Sequence, residues 1–297
     1  MKLLIIAFTL LSGTLLAQSG PAPEPRTAAS PANGPSYSQM YCSGFVTRDS
    51  IPRTNFVVGS KESPHQDRFA GRSTLFLGGP ALVEGQRYSL LRQVKDPNRE
   101  DSSPEQSKKL AKTGALYHEL GWVTVHSVQK DVSVASFDFS CDSASPGDIV
   151  VPYQEKPSIS FRSADDPIKP FLDASKAPKG HILAAKDFVG LLGNGQVVYT
   201  DFGTTKGIKP GDYLLVVRGY APKDLNRIDR TSERLPRGSE VTAVNPAKTK
   251  SEADASLPQH VLGEVLILNA TSDSSTAIIT RVFAEMELGD VVQQEEK

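Results

Sequence analysis

The chain has 297 residues, 38% of them hydrophobic and 23% charged, with 21 prolines and 23 glycines. That length leaves room for two domains of ordinary size, and so many turn formers favour short strands over long helices. A net charge of −1, with acidic and basic residues interspersed, excludes the basic stripe that an electrostatic nucleic-acid binder needs.

Residues 1–19 read as a secretory signal. Lys2 supplies the positive start, residues 3–11 (LLIIAFTLL) a short apolar run, and small residues follow around Ala17 to Ser19. The run is too short to span a bilayer, so the mature chain is expected to be exported without a transmembrane segment. Residues 20–40 are rich in Pro, Ala and Ser with few large apolar residues, the composition of a disordered tether.

A first unit spans residues 41–153. YCSGFVTRD and NFVVGSKE suggest short strands, and residues 72–79 and 86–94 suggest a hairpin turned around Gly78, Gly79 and Gly85. Ser103 as cap, Pro104 at the first helical position, Gln106 as partner in a capping box and Gly114 as terminator predict one helix. Two alternating strands follow, over 121–128 and 132–141, and a last one starts at Ile149. A polar linker over 154–179 carries Phe161, Ile168, Phe171 and Leu172, candidates for packing on a barrel surface. The second unit, 180–293, repeats the strand order, with a polar loop over 221–258 expected to be disordered, and residues 294–297 form a polar tail.

The two units are copies. Residues 120–150 (LGWVTVHSVQKDVSVASFDFSCDSASPGDIV) and 262–292 (LGEVLILNATSDSSTAIITRVFAEMELGDVV) align without a gap at an offset of 142, keeping Leu-Gly at the start and Gly-Asp near the end. Self-similarity of this kind signals a repeated supersecondary unit. Two sets of about six short strands predict an all-β fold of two tandem small barrels, closed or nearly so. Strands of five to eight residues and a polar C-terminus disfavour a transmembrane barrel.

Cys42 and Cys141 are the only cysteines, and in an exported chain an even pair predicts a disulfide. Matching Ser43-Gly44-Phe45-Val46 to Lys179-Gly180-His181-Ile182 would make the bridge tie the first strand of its unit to the last. The phase of Ala135, Phe137 and Phe139 would place Cys141 on the inward face.

Candidate chemistry is sparse. Gly147-Asp148, Gly211-Asp212 and Gly289-Asp290 each precede β-formers, and a type II turn wants Gly at that place, so these are expected to be structural turns with the aspartates bonding local backbone. His118 and His260 fall at equivalent corners of separate units, and His65, His126 and His181 are lone. No zinc-type spacing joins any of them, so no metal and no cofactor is expected. GLLGNGQ (190–196) lacks the Lys-Ser/Thr of a phosphate loop and reads as a turn, while no nucleophile motif is present. Arg92 and Arg218, matched on strands, could face a ligand groove or pair locally.

The run YCSGFVTRDSIPRTNFVVGS, then GIKPGDYLLVVR, HVLGEVLIL and STAIITRVFAEMELGDVV, resembles exported bacterial proteins often fused to LysM peptidoglycan-binding modules. The second half is also similar to the C-terminal barrel of the flagellar assembly protein T family, through G-I-x-x-G-D, L-G-E-V and the final G-D. The resemblance covers most of residues 41–292 and implies a periplasmic or envelope-associated binding or assembly module. No LysM-like segment occurs in this chain, and neither group supplies a catalytic motif.

The expectation is therefore an exported, monomeric, non-enzymatic envelope protein that binds a periplasmic protein or a cell-wall glycan. The alternative is a cell-wall hydrolase with paired carboxylates at the cleft between the barrels.

Overall fold

The computed structural model describes residues 33–62, 66–94, 106–173, 178–187, 189–219 and 257–295. The run read as an export signal, His65, the Ser103–Pro104 helix start and nearly all of the 221–258 loop lie outside the described residues. In chain order the elements are α1 (Tyr37–Tyr41), β1 (Phe45–Thr47), β2 (Asn55–Ser60), β3 (Thr74–Gly78), β4 (Arg87–Val94), α2 (Gln106–Thr113), β5 (Ala115–Val128), β6 (Val132–Ser140) and β7 (Ile149–Pro152). There follow β8 (Phe171–Leu172), β9 (Lys179–Ala185), β10 (Leu191–Leu192), β11 (Val197–Thr200), β12 (Tyr213–Arg218), β13 (Gln259–Ala270), β14 (Ser275–Val282), β15 (Met286–Glu287) and β16 (Val291–Gln294).

Two closed six-stranded barrels result. The first runs β5-β4-β7-β2-β3-β6 and closes through β5–β6; the second runs β13-β12-β16-β9-β11-β14 and closes through β13–β14. The orders are identical once β2 is equated with β9, β3 with β11 and β4 with β12. Each barrel is filled by its own inward phase: Val57, Leu75, Leu90, Leu120, Val123, Ala135 and Phe137 in the first, Ile182, Val198, Val216, Leu262, Val265, Ala277 and Ile279 in the second. Closure removes the sheet edges that open sheets must protect.

The offset of 142 holds to the level of single hydrogen-bonded partners. Gly121 opposes Ser140 as Gly263 opposes Val282, and Val123 opposes Phe137 as Val265 opposes Ile279. In both barrels a bulge follows that glycine. At Gly121 (φ +128°) a methyl group would run into the Phe139 carbonyl, and at Gly263 into the Arg281 carbonyl. Glycine is kept because another backbone passes where its Cβ would be.

Four expectations are corrected. First, β3 and β4 form no hairpin: β3 pairs with β2 and β6, while β4 pairs with β5 and β7. The turn around Gly79 instead carries the chain across the barrel, sinking Leu82 into the core. Second, the counterpart of β9 is β2, so Ser43-Gly44-Phe45-Val46 does not match Lys179-Gly180-His181-Ile182. The counterpart of β1 is β8. Phe45 opposes Tyr117 on β5 as Leu172 opposes Gln259 on β13, and both are strands added outside the ring.

Third, Cys141 lies just past β6 and is half-buried. The bulge opposite Trp122–Val123 shifts the ladder by one residue at Asp138, so Phe139 turns outward from the phase of Ala135 and Phe137. Cys42 ends α1, ahead of β1, and the two form the disulfide across 99 residues with Cα atoms 5.4 Å apart. The bridge therefore fastens the N-terminal arm to barrel one, not first strand to last. Fourth, the end of the expected tether is ordered. Ser36 caps α1 in a capping box with Gln39, and Tyr37, Tyr41, Trp122, Phe139 and Tyr153 form one aromatic cluster, Trp122 stacking on Phe139 at 4.2 Å. Burial pushes the Tyr37 hydroxyl pKa up, in spite of its hydrogen bond to Tyr153.

Candidate functional site between the barrels

The barrels meet along β1. Val46, Leu110 and Leu116 from barrel one's side pack on Leu183, Ala184 and Tyr199 of barrel two. The free edge of β1 is satisfied by hydroxyls: Thr276 donates to Gly44 O at 2.9 Å, Ser274 to Val46 O at 2.6 Å and Tyr199 to Ser43 O at 2.7 Å. Burial drives the Tyr199 pKa upward, and the nearby charges of Glu119 and Asp187 add to it. The side-chain amide of Gln106, expected to complete a helix cap, donates across the joint to Leu183 O at 2.6 Å.

Beside this joint a cleft follows α1 and the linker. One part, about 390 Å³, is walled by Ser38, Gln39, Ser140, Lys186, Asp187 and Gln196. A second, about 620 Å³, shares Gln39 and Gly195 with the first and extends to Asn33, Phe161, Asp165, Asn194 and Tyr213. Gly195 (φ +81°) belongs to the GLLGNGQ run, which starts with β10 paired to β15 and then turns into β11.

Two carboxylates are sunk beside the cleft, and both are engaged. Glu119 accepts from Gly44 N at 3.0 Å and pairs with Lys156 Nζ at 2.6 Å. Glu264, 1% exposed at its side chain, is gripped by Arg162, by Arg281 at 3.8 Å and by the Thr280 hydroxyl at 2.6 Å. Arg162 also lies 4.7 Å over the Tyr213 ring, and Arg281 donates to the Ser163 and Asp166 carbonyls, so the linker is stitched to barrel two. Both acids are thus held by cations and hydrogen-bond donors.

The residues singled out from sequence sit elsewhere. Gly147 (φ +90°), Gly211 (φ +93°) and Gly289 (φ +98°) all occupy left-handed turn positions. Asp148 accepts from Ser145 N at 2.6 Å, Asp212 from Lys209 N at 2.8 Å and Asp290 from Glu287 N at 2.7 Å. Arg92 forks onto Asp148 at 2.8 and 2.7 Å, and Arg218 onto Asp290 at 2.9 and 2.9 Å, each also bonding a carbonyl five residues before its aspartate, Ser143 or Glu285. They clamp the turn that starts the last strand of each barrel, the bidentate geometry guanidinium favours.

His118 and His260 stand opposite those arginines on β5 and β13. Burial lowers the His118 pKa, with Lys186 and Arg92 adding to it and Asp142 and Asp187 opposing. His181 meets Asp201, Nδ1 to Oδ2 at 3.3 Å, and His126 is exposed on β5. For Asp201 burial acts upward, but the hydrogen bond and charge of His181 outweigh it and hold the carboxyl lower. Among the described residues no three His, Cys, Asp or Glu side chains gather to hold a metal ion, and no helix is long and apolar enough to cross a membrane.

Sequence reasoning missed the Glu264 cluster. The signal was available: Glu264 is a lone acid in the apolar run VLGEVLIL, at the place of Trp122, and Arg281 takes the place of Phe139. Comparison with protein-family models gives no match, and comparison with curated proteins gives none either.

Proposed function

We propose that the chain is an exported, non-enzymatic protein of a bacterial envelope that binds a periplasmic protein or cell-wall glycan in the cleft between its barrels. The carrying observation is the make-up of the cleft's walls. Glu264 in the wall and Glu119 nearby are held in ion pairs, and amide, hydroxyl and aromatic groups of Asn33, Gln39, Asn194, Gln196 and Tyr213 stand among the charged Asp165, Lys186 and Asp187. Such walls suit a polar ligand held by hydrogen bonds and stacking. Hydrolysis of glycan would instead need a carboxyl free to carry a proton beside a second one 5–9 Å or so away, and the two sunken acids here are committed to cations.

Two features support export. The Lys2 start and apolar run have the physics of a signal, and the Cys42–Cys141 bridge belongs to an oxidising compartment. The resemblance to LysM-fused exported proteins and to the barrel of flagellar assembly protein T points the same way.

The test is a photo-crosslinking residue placed at Asn194, in the cleft, and separately at Lys130, on the exposed β5–β6 turn, in intact cells. An envelope protein or glycan captured from position 194 and not from 130 is the expected result. Capture of no envelope component, or equal capture from both, overturns the reading.

A further inference from the structure

Within the chain, the outer face of β9, β11 and β14 is covered by β1 and α2, and Leu183, Ala184, Tyr199 and Thr276 are at most 1% exposed. The registers identify the matching face of barrel one. Val58 takes the place of Leu183, Gly59 of Ala184, Phe76 of Tyr199 and Val134 of Thr276. Among the described residues that face is bare: Val58 is 45% exposed, Phe56 39% and Val132 36%, and a methyl group built on Gly59 would meet no atom within 4 Å. It is also more apolar than its twin. Phe56, Phe76, Val132 and Val134 stand where barrel two has His181, Tyr199, Ser274 and Thr276.

The covering half of the joint is duplicated too. β8 is added to β13 as β1 is to β5, which puts Phe171 at the place of Gly44 and Asp173 at that of Val46. Phe171 is 51% exposed, with its ring resting on His260 at 5.3 Å. In the internal joint, Gly44 leaves room for the Tyr199 hydroxyl, which lies 2.9 Å from where a Gly44 Cβ would be. On the bare face Phe76 lacks that hydroxyl, and on β8 Phe171 supplies a ring. The volumes are exchanged across the two joints.

We propose that the chain associates head to tail with copies of itself, the β8 edge of one copy docking on the β2–β3–β6 face of the next with the geometry that joins the two barrels internally. The contact is heterologous, so it extends into a ring or filament and does not end at a pair. Burying Phe171 against Phe56, Val58 and Phe76 supplies the attraction. Asp173 opposes it, because the Val46 it replaces is buried. This departs from the monomer expected from sequence, and it uses a surface separate from the cleft.

Sedimentation velocity of the exported chain tests it, over about a hundredfold span of concentration reaching the high-micromolar range where modest joints assemble. Growth past the dimer is expected. Val58→Glu and Phe171→Glu should each abolish it while leaving melting unchanged, since both side chains are exposed. Mixed, the two variants should form a heterodimer and stop, because each retains the surface the other lost. Asp173→Val should strengthen association by about tenfold, as relief of a charge buried at the joint implies. Overturning results are a monomer at every concentration, a mixture that stays monomeric, or loss on Val58→Glu with no effect of Phe171→Glu, the signature of a face-to-face pair.

Discussion

Replacing Cys42 and Cys141 together with serine removes the covalent tie between the N-terminal arm and barrel one. The bridge spans 99 residues, and closing a loop of about 100 residues in the unfolded chain is worth about 4.7 kcal/mol at 25 °C in the loop-entropy picture. The folded state should lose little beside this. Cys141 Sγ already lies 3.6 Å from the Tyr41 carbonyl, so a serine hydroxyl there finds an acceptor. With a urea dependence of about 2 kcal/mol per molar, the unfolding midpoint should fall by about 2 M. The probe is built in: Trp122 is the only tryptophan and touches Tyr37 and Tyr41 of the arm at 5.4 and 5.5 Å, so its fluorescence reads whether the arm is seated. A midpoint shift below about 0.5 M would refute the reasoning, since the loop term would then be offset by contacts that hold the arm without the bridge.

Gly121→Ala and Gly263→Ala should each lower stability by about 2–4 kcal/mol, because both place a methyl group on a passing carbonyl; Gly85→Ala, with φ +78° but open space around it, should cost only about 1 kcal/mol. Thermal melts of the three separate collision from backbone strain. Arg218→Leu removes the guanidinium that forks onto the buried Asp290 carboxylate and should cost about 3–5 kcal/mol, whereas Arg92→Leu should cost less, because Arg92 is 34% exposed against 19% for Arg218. Adding Asp290→Asn to Arg218→Leu should recover part of the loss in the same denaturation assay. For His118, a folded pKa below the ordinary value means its contribution is complete above about pH 6.5 and is lost as pH falls from there through the folded value. Melting temperature should therefore drop on acidification from pH 7, and His118→Gln should flatten that part of the profile.

Period-two alternation, the Gly-Asp turns and the offset of 142 made the two barrels and the cysteine pair legible, because these signals are local or repeated. What misled was non-local. A bulge inserts one residue and turns everything beyond it to the other face, and nothing in SFDFSC marks Asp138 as the place where that happens. Neighbouring strands β3 and β4 look like a hairpin from their turn glycines, yet each pairs elsewhere, since ring closure overrides adjacency in sequence. β1 and β8 are only three and two residues long. Strands that short carry no period, and their equivalence emerges only from the registers against β5 and β13. The Glu264 cluster was hidden for the opposite reason: its arginines come from the linker and from β14, 102 residues before and 17 after the acid by number, and spacing of that kind has no motif.

The two copies agree inside and disagree outside, and the disagreement has a pattern. Beyond the same bulge, barrel one presents Trp122 and Phe139, and barrel two presents Glu264 and Arg281. The aromatic pair seats the N-terminal arm through Tyr37 and Tyr41; the ionic pair seats the linker through Arg162. One backbone device thus serves two chemistries. Each segment also reaches the other barrel: Lys156 of the linker pairs with Glu119 on β5, and Met40 of the arm packs among Val197, Leu266 and Ile278 of barrel two. These anchors together fix the path of the arm between the barrels and of the linker beside it, and those paths form walls of the cleft. The cleft is consequently a property of the pair of barrels together with their two straps, and a single barrel cut free of them would lack it.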